Sequence, residues 1–312
     1  MTLSIVTTLY KSSPYVNEFY ERISAEAQKI TNDYEIIFVD DGSPDDSLHK
    51  AVELHRHDPK VIVIELSRNF GHHKAIVTGL AHAQGDYVFL IDSDLEEEPE
   101  LLGKFWEEFS QKKDIDVVYG VQEKRKGGWF ERWSGDLFYR IYNSLSNVKV
   151  PKNLITARLF TKNAVKLITA YQERELCLGC IYHDIGLQQK EVKIKKHSYS
   201  PSTYTLMKKL TLMINSITAF SNKPLWFIFI LGFFITTLSV VTILNLLLNK
   251  LFLGASISGW TSVMISIWFF GGLIILILGI LGIYLSKIFI EVKQRPYTMI
   301  KKIYTKLEAQ ND

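Results

Sequence analysis

Two long runs near the carboxyl end of the chain, Leu225 to Leu248 and Ser262 to Leu285, contain no Asp, Glu, Lys, Arg or His. A helix needs about 20 apolar residues to cross the hydrocarbon core of a bilayer, and each run is long enough. Buried helices of a soluble core rarely need such long uncharged runs. The pattern predicts two transmembrane helices, at 225–248 and 262–286, joined by a short extracytoplasmic loop at 249–261.

The basic residues around these runs predict the orientation. Lys208 and Lys223 precede the first run and a basic tail at 287–312 follows the second, while the loop between them offers only Lys250. Because cytoplasmic flanks carry the excess of Lys and Arg, both termini are predicted to be cytoplasmic. The chain is therefore expected to be a multi-pass protein of the inner (cytoplasmic) membrane, with an amphipathic interfacial helix at 201–224. The net charge of +3 fits these flanks facing anionic lipid, and no nucleic-acid partner is expected.

Strand and helix signals alternate over residues 1–200, which predicts an α/β domain with a mostly parallel, Rossmann-like sheet. Strands are predicted at Leu3–Leu9, Tyr34–Asp40, Val61–Leu66, Tyr87–Ile91 and Asp116–Gln122, and helices at Tyr15–Ile30, Ser47–His57, Lys74–Ala83 and Glu100–Lys112. No G-x-G-x-x-G follows the first strand and no G-x-x-x-x-G-K-[ST] occurs anywhere. This argues against a dinucleotide dehydrogenase and against a P-loop nucleotidase.

The strand at Tyr87–Ile91 is followed at once by two carboxylates one residue apart, Asp92 and Asp94. Ligands of open α/β sheets bind at the carboxyl ends of the strands. Hard oxygen ligands on a short turn suit a divalent ion that also holds a diphosphate. The sequence therefore predicts a Mg²⁺ or Mn²⁺ site at this strand end.

Polar residues also follow the second and third predicted strands. Asp40 and Asp41 end the second strand, where a carboxylate can accept hydrogen bonds from a nucleobase N–H or a ribose hydroxyl, and Ser43 is a candidate cap for the next helix. Arg68 follows the third strand and can stabilise phosphate charge. The adjacent His72 and His73 are interpreted as surface or substrate-lining groups, since neighbouring histidines do not easily aim at one ion.

Several of these motifs together resemble the family 2 glycosyltransferases of the GT-A fold. The matching segments are Thr7-Thr8-Leu9-Tyr10, Val39-Asp40-Asp41-Gly42-Ser43, Ser67-Arg68-Asn69-Phe70-Gly71, Gly85-Asp86 and Asp92-Ser93-Asp94-Leu95. Within that family, Pro99-Glu100, Phe138-Tyr139-Arg140, Arg158-Leu159 and Ser221-Asn222-Lys223-Pro224-Leu225 resemble the polyprenyl-phosphate glycosyltransferases. The likeness covers nearly the whole chain.

The resemblance implies a donor site for a nucleotide sugar, with UDP the favoured nucleotide. The residues that it assigns to the nucleoside are Thr8, Leu9, Tyr10, Asp40 and Asp41. It assigns Asp92 and Asp94, with Ser93 between them, to the ribose and to a Mg²⁺ or Mn²⁺ ion that bridges the diphosphate. Such an ion, together with Arg68, would neutralise the charge that develops on the leaving nucleoside diphosphate.

The resemblance also implies an acceptor site for a lipid phosphate. Its oxygen is already ionised near neutral pH, so the acceptor needs positioning cations rather than a general base. The candidates are Arg125, Lys126, Arg132, Arg140 and Arg158. The segment Glu123 to Phe130 combines a basic, Gly-containing loop with aromatic residues, as expected of a mobile loop over the site or of an ordinary solvated loop.

The chain departs from the family pattern on the acceptor side. Thr156 stands where the family has an acid two residues before the arginine matched by Arg158, and His197 begins a stretch that lacks the usual Arg, Gly and Lys. Glu96 replaces the usual Gln after the D-x-D-Leu motif. Glu96 and Glu97 are predicted either to act as a base toward a hydroxyl acceptor or to be first-turn acids of the next helix.

These observations predict an inverting, metal-dependent hexosyltransferase that moves one sugar to polyprenyl (undecaprenyl) phosphate for cell-surface glycans. A first alternative is transfer to a hydroxyl of a lipid-linked sugar, and a second is a non-catalytic membrane scaffold. Small residues in the second predicted span, including Gly271, Gly272, Gly279 and Gly282, would suit close helix packing or a homo-oligomer.

Overall fold

The computed structural model describes residues 1–111, 114–122, 154–174, 176–194, 221–253 and 259–305. The helices are α1 (Val16–Ile30), α2 (Ser47–His57), α3 (His72–His82), α4 (Leu101–Ser110), α5 (Lys162–Thr169), α6 (Leu178–Asp184), α7 (Lys223–Leu253) and α8 (Trp260–Val292). The strands are β1 (Leu3–Leu9), β2 (Tyr34–Asp40), β3 (Val61–Leu66), β4 (Tyr87–Leu90), β5 (Val117–Gln122), β6 (Leu154–Thr161), β7 (Gln189–Ile194) and β8 (Ile300–Tyr304).

The eight strands form one sheet in the order β7-β5-β6-β4-β1-β2-β3-β8. The four strands from β4 to β3 in this order are parallel, whereas β6 and β8 run antiparallel to their neighbours β4 and β3. This confirms the predicted α/β class with a mostly parallel sheet. The continuous apolar runs in the sequence agree with this sheet. A strand that is covered on both faces has a continuous apolar sequence, and β1 is buried along its whole length.

The position of β1 defines where a ligand can bind. The chain passes from β1 to β2 and β3 on one side and then returns to place β4 on the other side. In sheets of this kind the crevice outside the carboxyl ends of the strands lies at such a switch point. The segments that follow β1, β2, β3 and β4 therefore meet at one edge of the sheet.

The main core fills the space between the sheet and helices α1, α2 and α4. Phe19, Phe38, Phe89 and Phe105 are fully buried there, and the rings pack edge to face in the pairs Phe19–Phe38 and Phe89–Phe105. Edge-to-face pairs add stability beyond their buried area. This packing holds β2 and β4 in place, and with them the acidic residues Asp40 and Asp92 at their carboxyl ends.

Strand β8 was not anticipated from the sequence, which suggested only a basic tail at 287–312. It pairs antiparallel with β3, and the Lys301 Nζ lies 2.5 Å from the Glu65 Oε1. Residues 295–305 belong to the same compact unit as the sheet. The tail therefore contributes an edge strand to the domain that contains the site.

The two predicted membrane segments lie within long helices, α7 and α8. In the described parts of the chain one stretch of 27 residues, Ser266–Val292, is long and apolar enough to cross a membrane, with a mean hydropathy of 2.6 in an 18-residue window. In α7 the apolar stretch Lys223–Ile235 is shorter. The crossing by 225–248 stays a prediction, and the predicted interfacial helix lies outside the described residues up to residue 220.

Candidate active site

Asp40 ends β2 with its side chain buried at an exposed fraction of 2%. The Ser43 backbone N–H donates to its Oδ2 at 3.3 Å, whereas its Oδ1 is buried with no hydrogen-bond partner among the described residues. Burial, with the nearby Glu65 and Asp41 charges adding, raises the pKa of Asp40 to about 6. A buried acceptor without a donor is rare in proteins and suits a ligand N–H or hydroxyl.

Asp41 holds the loop after β3. The backbone N–H groups of Phe70 and Gly71 donate to its two carboxylate oxygens at 2.7 and 3.0 Å. Gly42 follows with φ +63°, and a Cβ there would lie 2.5 Å from the Asn69 backbone nitrogen. In the described geometry Asp41 is thus committed to shaping the loop.

Ser43 and Arg68, near the ends of β2 and β3, were predicted to cap the next helix and to contact phosphate. Ser43, a candidate cap for α2, accepts a hydrogen bond from the Lys11 backbone N–H at 2.7 Å, and α2 begins only at Ser47. The capping prediction was wrong. The Arg68 guanidinium lies over the Phe70 ring at 4.0 Å and donates to the Asn69 carbonyl oxygen at 3.0 Å, and its contact with phosphate stays a prediction.

A small cavity lies between the end of β1 and the loop after β3. It has a volume of about 110 Å³ and is lined by Thr8, Leu9, Tyr10, Asp41, Asn69, Gly71 and His72. The Leu9 side chain belongs to the core, and its carbonyl accepts from the Asp41 N–H at 3.0 Å, so it shapes the wall through its backbone. The Tyr10 side chain is exposed and available to stack on a planar ligand. Four of the five predicted nucleoside residues, Thr8, Leu9, Tyr10 and Asp41, therefore surround one opening.

His72 joins the two sides of the switch point. Its Nδ1 lies 3.1 Å from the Thr8 Oγ1, and its Nε2 lies 3.5 Å from the Asp92 Oδ1. Sequence reasoning placed His72 only among surface or substrate-lining groups. Its link to Asp92 was missed, because nothing in the sequence indicates that the first residue of α3 faces the turn after β4.

The residues of the Asp92-Ser93-Asp94 turn differ in exposure and in their hydrogen bonds. Asp92 is partly exposed, whereas Ser93 is buried and its hydroxyl donates to the Thr8 carbonyl oxygen at 2.9 Å. The Glu96 backbone N–H donates to the Asp94 Oδ1 at 3.0 Å, and Leu95 adopts a left-handed φ of +58°. A positive φ is costly for a branched side chain and occurs where surrounding contacts hold the turn.

The donor set of this turn fits a divalent ion. Among the described residues, no group of three or more His, Cys, Asp or Glu side chains could hold a metal by itself. Mg²⁺ is usually bound by one or two carboxylates and completes its shell with water and substrate phosphate. Asp92 and Asp94 supply that number of hard oxygen ligands, so the residues present suit an ion that is bound together with a diphosphate.

Arg158 lies in β6, where it is paired with Leu90, two residues before Asp92. Its exposed fraction is 5%, and its Nη1 donates to the carbonyl oxygens of Ile155 and Thr156 at 2.7 and 3.1 Å. Its guanidinium stacks over the Tyr182 ring at 4.3 Å. Burial lowers the pKa of Arg158, but arginine keeps its proton in proteins. Arg158 thus places a fixed positive charge at the end of the sheet near Asp92.

Glu97 connects the Asp92-Ser93-Asp94 turn to β6. It has an exposed fraction of 1%, and its carboxylate accepts from the backbone N–H groups of Thr156 and Ala157 at 3.0 and 2.8 Å. The first-turn interpretation was wrong, because α4 begins at Leu101 and its first turn contains no acid. Glu97 therefore places a carboxylate beside Thr156, although that position itself has no acid.

Changing Glu97 to glutamine is expected to destabilise the domain by about 1–3 kcal/mol. The amide NH₂ would replace one carboxylate oxygen, so that one of the two backbone N–H groups would lose its acceptor. Transfer should fall with it, since β6 also positions Arg158. Thermal unfolding and steady-state kinetics measure both effects. Glu107→Gln, on the exposed surface of α4, is the matched control. Unchanged stability and kcat in Glu97→Gln would contradict the positioning role.

Two further buried groups beside Arg158 were missed by sequence reasoning. The Tyr182 Oη and the His183 Nε2, both on α6, are buried with no hydrogen-bond partner among the described residues. Burial, with the Asp92 charge adding, raises the pKa of Tyr182 to about 12, and burial lowers the pKa of His183. Both side chains are therefore neutral near pH 7. No motif in the sequence marks them.

The other predicted acceptor residues lie outside the described residues. These are Arg125, Lys126, Arg132 and Arg140, together with the stretch that begins at His197. Thr156 and Arg158 are the two members of the predicted acceptor set that the structure describes. The roles of all of them remain predictions.

The profile of the family described as Glycosyl transferase family 2 matches residues 4–169. This chain is a family 2 glycosyltransferase. The matched segment spans β1 to α5 and includes Asp40, Asp92, Asp94 and Arg158, so the crevice described above lies in the family's own domain.

Full-length relatives agree with this assignment. A Mycobacterium tuberculosis (strain CDC 1551 / Oshkosh) protein whose name places it among the glycosyltransferases is 49% identical over 304 residues, covering 97% of this chain and 89% of the relative. The SfII prophage-derived bactoprenol glucosyl transferase of Shigella flexneri is 30% identical over 304 residues, covering 97% and 98%. The predicted resemblance to polyprenyl-phosphate glycosyltransferases is thereby confirmed.

Solved structures are more distant. Glucosyl-3-phosphoglycerate synthase of Mycobacterium tuberculosis, crystallised with UDP, covers 70% of this chain and 79% of that chain with a TM-score of 0.46 and 18% identity. A likeness at this level supports no transfer of function.

Proposed function

We propose that this family 2 glycosyltransferase moves a single sugar, with inversion, from a UDP-linked donor to polyprenyl phosphate at the cytoplasmic face of the membrane. The observation that supports it most is the convergence of Asp40, Asp92 and Asp94 at the switch point of the sheet. Bactoprenol glucosyl transferases similar to this chain over nearly its whole length support the lipid acceptor.

The donor half of the reaction follows from the described residues. The free Oδ1 of Asp40 would accept a hydrogen bond from the nucleoside, and Tyr10 would cover it. Asp92 and Asp94 would hold a Mg²⁺ or Mn²⁺ ion, which when bound neutralises charge on the diphosphate as the bond to the sugar breaks. His72 lies between Thr8 and Asp92 and is placed to orient this edge of the site.

The acceptor half favours a lipid phosphate over a sugar hydroxyl. A hydroxyl acceptor needs a general base. Of the two predicted candidates, Glu97 is buried and already accepts two backbone N–H groups, so only Glu96 remains for that role. A phosphate acceptor is ionised without a base, and Arg158 supplies a fixed positive charge near Asp92. Transfer to a hydroxyl of a lipid-linked sugar is therefore our second candidate function.

Membranes that contain the full-length protein, incubated with radiolabelled nucleotide sugars, Mn²⁺ and a short-chain polyprenyl phosphate, test the proposal. We expect a metal-dependent, organic-soluble product in which the sugar is joined to the lipid phosphate. A parallel assay replaces the polyprenyl phosphate with a lipid-linked sugar as the acceptor. Product in that assay, but none with the polyprenyl phosphate, would favour the hydroxyl acceptor. No product with any donor, together with no binding of UDP and Mn²⁺ by calorimetry, would favour the non-catalytic scaffold.

A further inference from the structure

Arg158 is a buried cation without a counterion among the residues that the structure describes. Its exposed fraction is 5%, and it forms no ion pair with any of them. A guanidinium carries N–H donors on three nitrogens, and in Arg158 the described hydrogen bonds come from Nη1 alone, to the carbonyl oxygens of Ile155 and Thr156. Because a buried charge is costly unless it is paired, this arrangement favours an anionic ligand.

The Tyr182 hydroxyl is a second group beside Arg158 that points to a ligand. Tyr182 has an exposed fraction of 3%, and the Arg158 guanidinium lies over its ring at 4.3 Å. The Tyr182 Oη is buried and has no hydrogen-bond partner in the described part of the chain. Buried hydroxyl groups without a partner are rare, since a hydroxyl removed from water destabilises the folded state unless it gains a new partner.

The fold holds the Tyr182 ring in this position. The Phe160 ring, two residues after Arg158 on β6, lies 5.6 Å from the Tyr182 ring between centroids. The Gln189 side chain, at the start of β7, donates to the Tyr182 backbone carbonyl oxygen. The next residue, His183, has a buried Nε2 that also lacks a partner among the described residues. Two neighbouring polar groups on α6 are therefore buried beside a buried cation without making hydrogen bonds.

The location and the protonation state of Tyr182 indicate what it can bind. Arg158 is paired with Leu90, two residues before Asp92, so Tyr182 lies near the edge of the sheet that forms the candidate active site. Burial raises the pKa of Tyr182 to about 12, so its hydroxyl keeps the proton near pH 7 and can donate it to an anion. A guanidinium and a hydroxyl in contact offer donors in different directions, which suits the several oxygens of a phosphate.

We propose that Tyr182 contacts the substrate, and that its hydroxyl donates a hydrogen bond to the acceptor phosphate beside Arg158. This inference rests on the proposed function, because it takes a lipid phosphate as the acceptor. It adds a residue for which the sequence suggested no role. It also predicts two effects of opposite sign: removal of the hydroxyl weakens phosphate binding but does not destabilise the free protein, in which the hydroxyl has no described partner.

Tyr182→Phe tests the inference, because it keeps the ring that stacks on Arg158 and removes the O–H. The full-length protein in a zwitterionic detergent is titrated by calorimetry with a water-soluble short-chain isoprenyl monophosphate, and separately with UDP and Mn²⁺. We expect the affinity of Tyr182→Phe for the isoprenyl phosphate to be lower by about tenfold or more, and its affinity for UDP to be unchanged. Its unfolding temperature without ligand should equal or exceed that of the wild type.

Tyr34→Phe is the matched control. Tyr34 is a buried tyrosine at the start of β2, at the opposite end of the sheet, and its hydroxyl accepts from the Gln28 Nε2 at 3.2 Å. This change should leave both affinities unchanged and should lower the unfolding temperature slightly, since it removes a hydrogen bond that is made in the free protein.

Kinetics on membranes give a second readout. With polyprenyl phosphate as the acceptor, the KM for the lipid should rise in Tyr182→Phe while the KM for the nucleotide sugar stays the same. Tyr182→Leu, which also removes the ring, separates contact from support. If Tyr182→Leu bound the isoprenyl phosphate weakly and Tyr182→Phe bound it normally, Tyr182 would only support Arg158, and the inference would be wrong.

The remaining outcomes are equally decisive. The inference is overturned if the wild type does not bind the isoprenyl phosphate, if Tyr182→Phe loses affinity for UDP instead, or if Tyr182→Phe is less stable than the wild type without ligand. Failure of the proposed function would look different. A protein that binds the isoprenyl phosphate through Tyr182 but transfers no sugar would refute the proposed function and support the inference.

Discussion

Replacing Asp94 with asparagine is expected to reduce sugar transfer by a factor on the order of 10²–10³, because a metal-stabilised leaving group is worth several kcal/mol in the transition state. Asparagine keeps the size of the side chain but removes the negative charge. Binding of Mn²⁺ together with UDP should weaken in parallel. Transfer assays on membranes and calorimetry with UDP and Mn²⁺ measure the two effects.

The expected loss is specific to the site. Asp33→Asn changes an exposed aspartate at the opposite end of the sheet, immediately before β2, and should leave transfer unchanged. Asp94→Asn should stay in the membrane fraction, since its apolar helices are intact. If Asp94→Asn kept most of its turnover, the ion would have to be held by other residues.

Replacing Asp40 with asparagine is expected to weaken donor binding while making the domain more stable near pH 7. The amide can adopt two orientations. In one, its NH₂ takes the place of Oδ1, which has no partner among the described residues, and cannot accept from a nucleoside N–H. In the other, its NH₂ takes the place of Oδ2 and faces the Ser43 backbone N–H, which then has no acceptor. The gain in stability has a separate cause. The pKa of Asp40 is about 6 in the folded domain against an ordinary value of 3.8, so folding at pH 7 costs about 3 kcal/mol to keep a buried carboxylate charged.

The pH dependence gives the sign of this effect. Because the pKa of Asp40 is higher in the folded state than in the unfolded state, protonation of Asp40 at low pH stabilises the folded wild type. This stabilisation is lost as the pH rises from about 4 to about 6. Asp40→Asn has no such group. Its unfolding temperature should therefore exceed that of the wild type above pH 6, and the difference should shrink below pH 4.

Thermal unfolding across this pH range and calorimetry with UDP test the two parts separately. Asp33→Asn again serves as the control, because an exposed carboxylate should change neither quantity. A variant that is both less stable at pH 7 and unchanged in UDP affinity would show that Asp40 has a structural role instead.

Local patterns were sufficient to predict the central elements of the domain. The apolar runs of β1 to β4 and the helices between them lie within a few residues of their predicted bounds, although β4 ends at Leu90 rather than Ile91. A run of buried residues bounded by polar turns is a short-range signal that survives in any tertiary context. Parallel strands joined by helices end at the same edge of a sheet, so the same patterns assign Asp40 and Asp92 to the edge where ligands bind.

The contacts that complete the site could not be predicted in the same way. Glu97 binds backbone N–H groups 59 and 60 residues further along the chain, and a backbone N–H has no identity in the sequence. The contact of His72 with Asp92 and the buried Tyr182 beside Arg158 depend on the angles at which α3 and α6 pack. Such angles follow from the whole core.

The sequence by itself determined the fold class, the family and the strand ends that bear Asp40, Asp41, Asp92 and Asp94, since each depends on residues close together in the chain. The tertiary structure decided what these residues do. It gives the Asp41 oxygens to the loop after β3 and leaves one oxygen of Asp40 without a partner among the residues that the structure describes. It also returns the tail to the sheet as β8, because an edge strand can be completed by any segment that brings its backbone donors and acceptors into register.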